Sequence, residues 1–123
     1  MHLVQLNKQV SVSDQMTVDD VAEVVANGVK LLVCNRPDGE DVGQTPYLDI
    51  KAEAECQGLN THLLAFSSYQ ITNDNRDHLV DLIATKQKIH LYCRSGSRSR
   101  RLWQTANKIG CGGHDFVDSG GLD

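Results

Sequence analysis

No stretch of this 123-residue chain is apolar for the roughly 18 residues needed to cross a bilayer. The first eight residues lack a basic segment followed by a long apolar one, so no secretory leader is read there, and the cytoplasm is the expected location. None of the four cysteines (Cys34, Cys56, Cys93, Cys111) forms a C-x-x-C pair, and no histidine stands at a zinc-ligand spacing from them. A metal site is therefore not expected, nor is a disulfide framework in a reducing compartment. An excess of positive charge is also missing. The net charge is −4, which argues against nucleic acid as a partner. There is no internal repeat, and nothing in the chain calls for a metal or organic cofactor.

What is present is one alternating pattern. Residues 1–109 read as a single domain large enough to bury its own core. Residues 110–123 read as a tail that holds five of the ten glycines. Leu3 to Leu6 and Gln9 to Ser13 predict a short hairpin. A first helix is expected from Thr17 to Gly28, with Val21, Val24 and Val25 as its apolar face. A strand follows over Lys30 to Asn35, and a helix from Pro46, suited to a first helical position, to Gln57. Thr61 to Phe66 predicts a strand, and Thr72 caps a helix to Thr85 with Leu79, Leu82 and Ile83 inward. The last strand is Ile89 to Tyr92. The last helix is Arg98 to Ile109, with Leu102, Trp103 and Ile109 inward. After the hairpin, strands and helices alternate, which implies an α/β fold with a mostly parallel sheet of four to five strands flanked by helices. Ligands of such sheets bind beyond the carboxyl ends of the strands. The loops Arg36 to Pro46, Ser67 to Ile71 and Cys93 to Arg98 should meet there.

Cys93-Arg94-Ser95-Gly96-Ser97-Arg98-Ser99 stands between the last strand and the last helix. Backbone N–H groups in such a turn converge on one point, and the helix N-terminus adds positive potential. The same field favours thiolate over thiol, making Cys93 the candidate nucleophile and a small anion its expected partner. Gly96 permits a positive φ, and Ser95 and Ser97 are small enough to leave the N–H groups exposed. Arg98 can grip an oxyanion with two donors. Arg94 is a further anion-binding candidate. Ser99 can donate to the sulfur or cap the helix. Arg36 can extend the anion site. Asp38 and Glu40 are candidate acids, although Asp38-Gly39 also reads as a turn. Cys34 reads either as a packing residue or as a resolving thiol for Cys93.

The run Val33-Cys34-Asn35-Arg36-Pro37-Asp38-Gly39-Glu40, followed by Tyr92 to Ser99 and Leu102-Trp103, resembles a bacterial family of phosphatase-like domains. These occur alone or fused to beta-lactamase-like hydrolases. The likeness covers nearly the whole chain up to Ile109. It implies a fold like that of dual-specificity tyrosine phosphatases, and members have been called both phosphatases and sulfurtransferases. Phosphatases of the Cys-Arg type carry five residues between the two and a His before the Cys. Here four residues separate Cys93 from Arg98 and Tyr92 precedes, so the loop resembles that of rhodanese sulfurtransferases. The loop after the third strand of the parallel series also carries no carboxylate over Ser67 to Gln70. The expectation is therefore a sulfurtransferase that forms a persulfide on Cys93 from thiosulfate or another persulfide. The alternative is a phosphatase acting on a phosphate ester through a phosphocysteine. A non-catalytic anion-binding or redox-sensing module is the third reading.

Overall fold

The computed structural model describes residues 1–68 and 70–112. Its elements are β1 (Leu3–Gln5), β2 (Val10–Ser13), a 3-10 turn (Val18–Asp20), α1 (Val21–Ala26), β3 (Leu31–Cys34), α2 (Tyr47–Cys56), β4 (Asn60–Leu63), α3 (Asn73–Ala84), β5 (Ile89–Tyr92) and α4 (Ser97–Gly112). They form a five-stranded sheet in the order β1-β2-β5-β3-β4. Only β1 is antiparallel to its neighbour, as the hairpin requires. β5 lies between two parallel partners, with Val12 and Val33 both opposite Leu91.

The sheet's two faces bury different sets of side chains. Val10, Val12, Val33, Ile89 and Leu91 pack with Leu79, Leu82, Leu102 and Ala106 of α3 and α4. Leu32, Cys34 and Tyr92 pack with Val21, Val24, Ile50 and Ala54 of α1 and α2. Successive strand residues alternate between these clusters, as the pleat dictates, so β3 and β5 are buried on both sides. Trp103 is partly buried against the α3/α4 cluster, whereas the side chain of Ile109 lies outside the described residues.

Several boundaries differ from the sequence reading. Pro46 is extended (φ −63°, ψ 146°) and precedes α2 instead of starting it. β4 ends at Leu63, not Phe66. It is the outer strand beyond β3, and it is partly exposed. The first helix divides into a 3-10 turn and a short α1. Thr72 does cap α3, its Oγ1 accepting from Asn75 N at 3.1 Å. α4 continues to Gly112, beyond the start expected for the glycine-rich tail, so Cys111 is helical. Residues 113–123 lie outside the described part of the chain. No helix among the described residues is long and apolar enough to cross a membrane.

A titratable ring is buried within this frame. His90 of β5 is fully buried. Ser13 Oγ donates to Asp14 O at 2.9 Å, so it accepts from His90 Nε2 at 2.8 Å. Nδ1 then accepts from Ser11 Oγ at 2.8 Å, and the ring is neutral. Burial lowers its pKa to about 4. Below about pH 6.5 the unfolded chain binds a proton there that the native protein does not, until about pH 4. Stability should therefore fall as pH drops through that window and gain nothing from His90 above it. Urea unfolding across this range should show that slope in the wild type and a flatter one in His90→Gln.

Candidate active site

β5 ends at Tyr92, and Cys93 is the first residue beyond the sheet. Its N–H donates to Ser13 O at 3.3 Å, which anchors the loop to β2. The chain then turns through Gly96 (φ +97°), whose N–H donates to Cys93 Sγ at 3.0 Å. A side chain at Gly96 would make only ordinary contact with Ser13, 3.5 Å from its carbonyl. Glycine is required there by the backbone angle, not by crowding. α4 begins at Ser97, so its N-terminus faces the same point. Ser95 Oγ and Ser97 Oγ lie 2.8 Å apart and hydrogen-bond to each other. Ser99 is fully buried, and its Oγ has no hydrogen-bond partner among the described residues.

Cys93 is wholly enclosed (0 % exposed). A reacting anion can reach its sulfur only by displacing atoms that cover it in this structure. A cavity of about 300 Å³ lies against Ser95, Gly96, Ser97 and Arg100 on the side of the β1–β2 hairpin, and Cys93 does not line it.

Three loops do meet, but through contacts the sequence reading did not foresee. Arg98 Nη1 and Nη2 donate to Glu40 Oε2 and Oε1 at 3.0 and 2.7 Å. Nη1 also donates to Phe66 O at 3.0 Å. Glu40 Oε1 takes a further hydrogen bond from Arg36 Nε at 2.8 Å. Arg36 is buried and also holds Gln15 Oε1 (3.0 Å) and Asp41 Oδ2 (2.7 Å). The exposed Arg94 places its Nε 3.4 Å from the same Asp41 oxygen. Arg36 is thus turned toward side chains of its own protein. The two guanidinium groups hold the Glu40 carboxyl near pKa 2, Arg98 contributing most, so it is ionised at neutral pH. The four-residue spacing of Arg36 and Glu40 gave no signal of their pairing, because both stand in a loop where spacing does not set neighbours. The partnership with Arg98, 58 residues away, had none either.

Asp38 serves α2: its Oδ1 accepts from Tyr47 N at 2.8 Å. Cys34 is buried beside Tyr92, and its Sγ donates to Arg36 O at 3.2 Å. Burial pushes both the Cys34 thiol and the Tyr92 hydroxyl up, keeping them protonated at neutral pH. Cys34 and Tyr92 are register partners on one face of the sheet, and Cys93 follows on the next pleat. A protonated thiol is a poor nucleophile, so this environment favours packing over redox chemistry for Cys34. No group of His, Cys, Asp and Glu among the described residues is placed to hold a metal ion.

Gly96→Ala should destabilise the protein by about 1–3 kcal/mol, the cost of holding a non-glycine residue at a strained positive φ. Urea unfolding measures this. A neutral result would mean that the loop relaxes to another conformation.

Residues 2–109 match the family described as beta-lactamase hydrolase-like protein, phosphatase-like domain. The beta-lactamase hydrolase-like protein of Agrobacterium fabrum is 26% identical over 104 residues, covering 84% of this chain and 24% of that protein. The chain thus spans about a quarter of the length of the curated relatives it matches. A candidate phosphatase from Neisseria meningitidis has a crystal structure that superposes with a TM-score of 0.73 at 28% identity, covering 81% of this chain and 72% of that one. The core catalytic domain of the PP-IP phosphatase of S. cerevisiae, crystallised with citrate, superposes with a TM-score of 0.58 at 10% identity over 94% of this chain and 80% of its own. That likeness shows a shared fold, of the protein tyrosine phosphatase type. By its sequence from end to end of the sheet, the chain belongs to the phosphatase-like domain family of beta-lactamase hydrolase-like proteins.

Proposed function

We propose that the protein is a cysteine-dependent phosphatase for small phosphate esters. The observation that carries this reading is the Cys93–Arg98 loop at the carboxyl end of β5, with the Gly96 N–H on the sulfur, in a chain whose relatives are phosphatase-like. It displaces sulfur transfer, the expectation from loop length, to second place.

In the proposed reaction the Cys93 thiolate attacks phosphorus and the ester P–O bond breaks. The departing oxygen takes a proton from water. A second water then hydrolyses the phosphocysteine, releasing inorganic phosphate and restoring the thiolate. The backbone N–H groups of Arg94 to Arg98 and the Arg98 guanidinium would hold the phosphoryl oxygens.

A general acid is the weak part of the machinery. Glu40 is ionised between two arginines, and Asp38 is engaged at the start of α2. Among the described residues of the loop after β4, Leu64 to Ser68 and Gln70 to Thr72, there is no carboxylic acid. This favours aryl phosphates or phosphoric anhydrides, whose leaving groups need little protonation.

The same feature keeps a second reading in play. Four residues between Cys93 and Arg98 leave a small ring, suited to a single sulfur atom. In that reaction the thiolate attacks the outer sulfur of thiosulfate, the S–S bond breaks, sulfite leaves, and cyanide or a thiol removes sulfur from the Cys93 persulfide.

Both reactions should be assayed on wild type and Cys93→Ala. The expected result is phosphate release from an aryl phosphate that falls at least about a thousandfold in the variant. Cys93-dependent thiocyanate formation without phosphate release would reverse the order of the two readings. Neither activity, with phosphate still bound, would leave an anion-binding module.

A further inference from the structure

Arg98 is the residue on which any oxyanion chemistry at Cys93 depends, and two other loops hold its guanidinium. Glu40, after β3, meets both terminal nitrogens of the guanidinium in a two-point pair, and Phe66 O, after β4, takes a second hydrogen bond from Nη1. A guanidinium is planar, so a two-point contact along one edge fixes the plane as well as the position. Arg98 is nine-tenths buried, and Arg36, buried almost completely, shares the same carboxylate. Without that negative charge the two cations would face each other with reduced access to water, and mutual repulsion would drive Arg98 off its present line.

We propose that Glu40 is a positioning residue of the anion site, setting the orientation of the Arg98 guanidinium and thereby the affinity of the Cys93 loop for oxyanions. The proposal rests on reading that loop as the anion site. It assigns Glu40 no proton transfer, in contrast to the acid role for which its type first suggested it. It also accounts for the choice of residue. A carboxylate on a shorter stem would have to pull its loop toward Arg98 to keep both contacts, and an amide would present a donor to a donor.

The test uses Glu40→Gln and Glu40→Asp in the full chain, with inorganic phosphate as the probe and calorimetry as the readout. Thermal unfolding confirms that each variant is folded. Glu40→Gln should weaken phosphate binding by roughly tenfold or more, the order expected when a charge-assisted hydrogen bond to a buried group is disturbed. Glu40→Asp should restore part of the loss. In the aryl phosphate assay Glu40→Gln should lower kcat/KM without moving the basic limb of the pH profile to where a lost acid would put it. Equal or tighter phosphate binding by Glu40→Gln would overturn the proposal, because it would mean that the carboxylate only blocks Arg98. Failure of the wild type to bind phosphate at millimolar concentration would overturn it too. Weaker binding by the variant in a protein with no phosphatase activity would sink the enzymatic reading alone. Should Glu40→Gln not fold, the affinity of Glu40→Asp decides, and a value equal to wild type counts against the role.

Discussion

β5 is held between two parallel neighbours, and the site depends on that constraint. A strand paired on both sides cannot shift its register without breaking two ladders and turning its side chains to the wrong faces. Ile89, His90, Leu91 and Tyr92 are buried with no slack, so the point where the sheet ends and Cys93 begins is fixed in space. The bond from Cys93 N–H to Ser13 O extends the β2–β5 pairing one step into the loop. From there the positive φ of Gly96 folds the chain back over the sulfur.

The loop is short, and its buried cation is Arg98. The Gly96 N–H meets the sulfur, and the loop is held from outside. Ser13 holds the floor through its carbonyl. Glu40 and Phe66 hold the arginine. A buried guanidinium with a carboxylate partner is costly to disturb, because removing either member leaves a charge with little solvent. The same pairing explains why the Glu40 carboxylate is a poor candidate for a proton donor. Two guanidinium groups stabilise its charged form over any neutral pH.

The structure also separates residues that look alike in the chain. Arg36, Arg94 and Arg98 all read as anion ligands. Arg36 is buried and engaged with Gln15, Glu40 and Asp41. Arg94 is largely exposed beside Asp41. Arg98 lies in the loop and is buried against Glu40, whereas Arg94, in the same loop, reaches the network only at its exposed edge. Cys34 and Cys93 likewise stand at the ends of adjacent strands, but the pleat and the hydrogen bond to Arg36 O make the first a packed thiol.

Local physics made much of this legible in the chain. Alternating apolar runs, caps and glycine stops revealed the α/β order, the hairpin, the helix cap at Thr72 and the loop built on Cys93, because each depends on residues within a few positions of one another. The end of β4 and the place of Pro46 were misread because an edge position and a loop path depend on neighbours far along the chain. The partners of Arg98 and the duties of Glu40 and Asp38 were decided only by tertiary structure. Charge pairing across 58 residues leaves no periodic trace, and a carboxylate is acid, cap or counter-ion according to what the fold sets beside it.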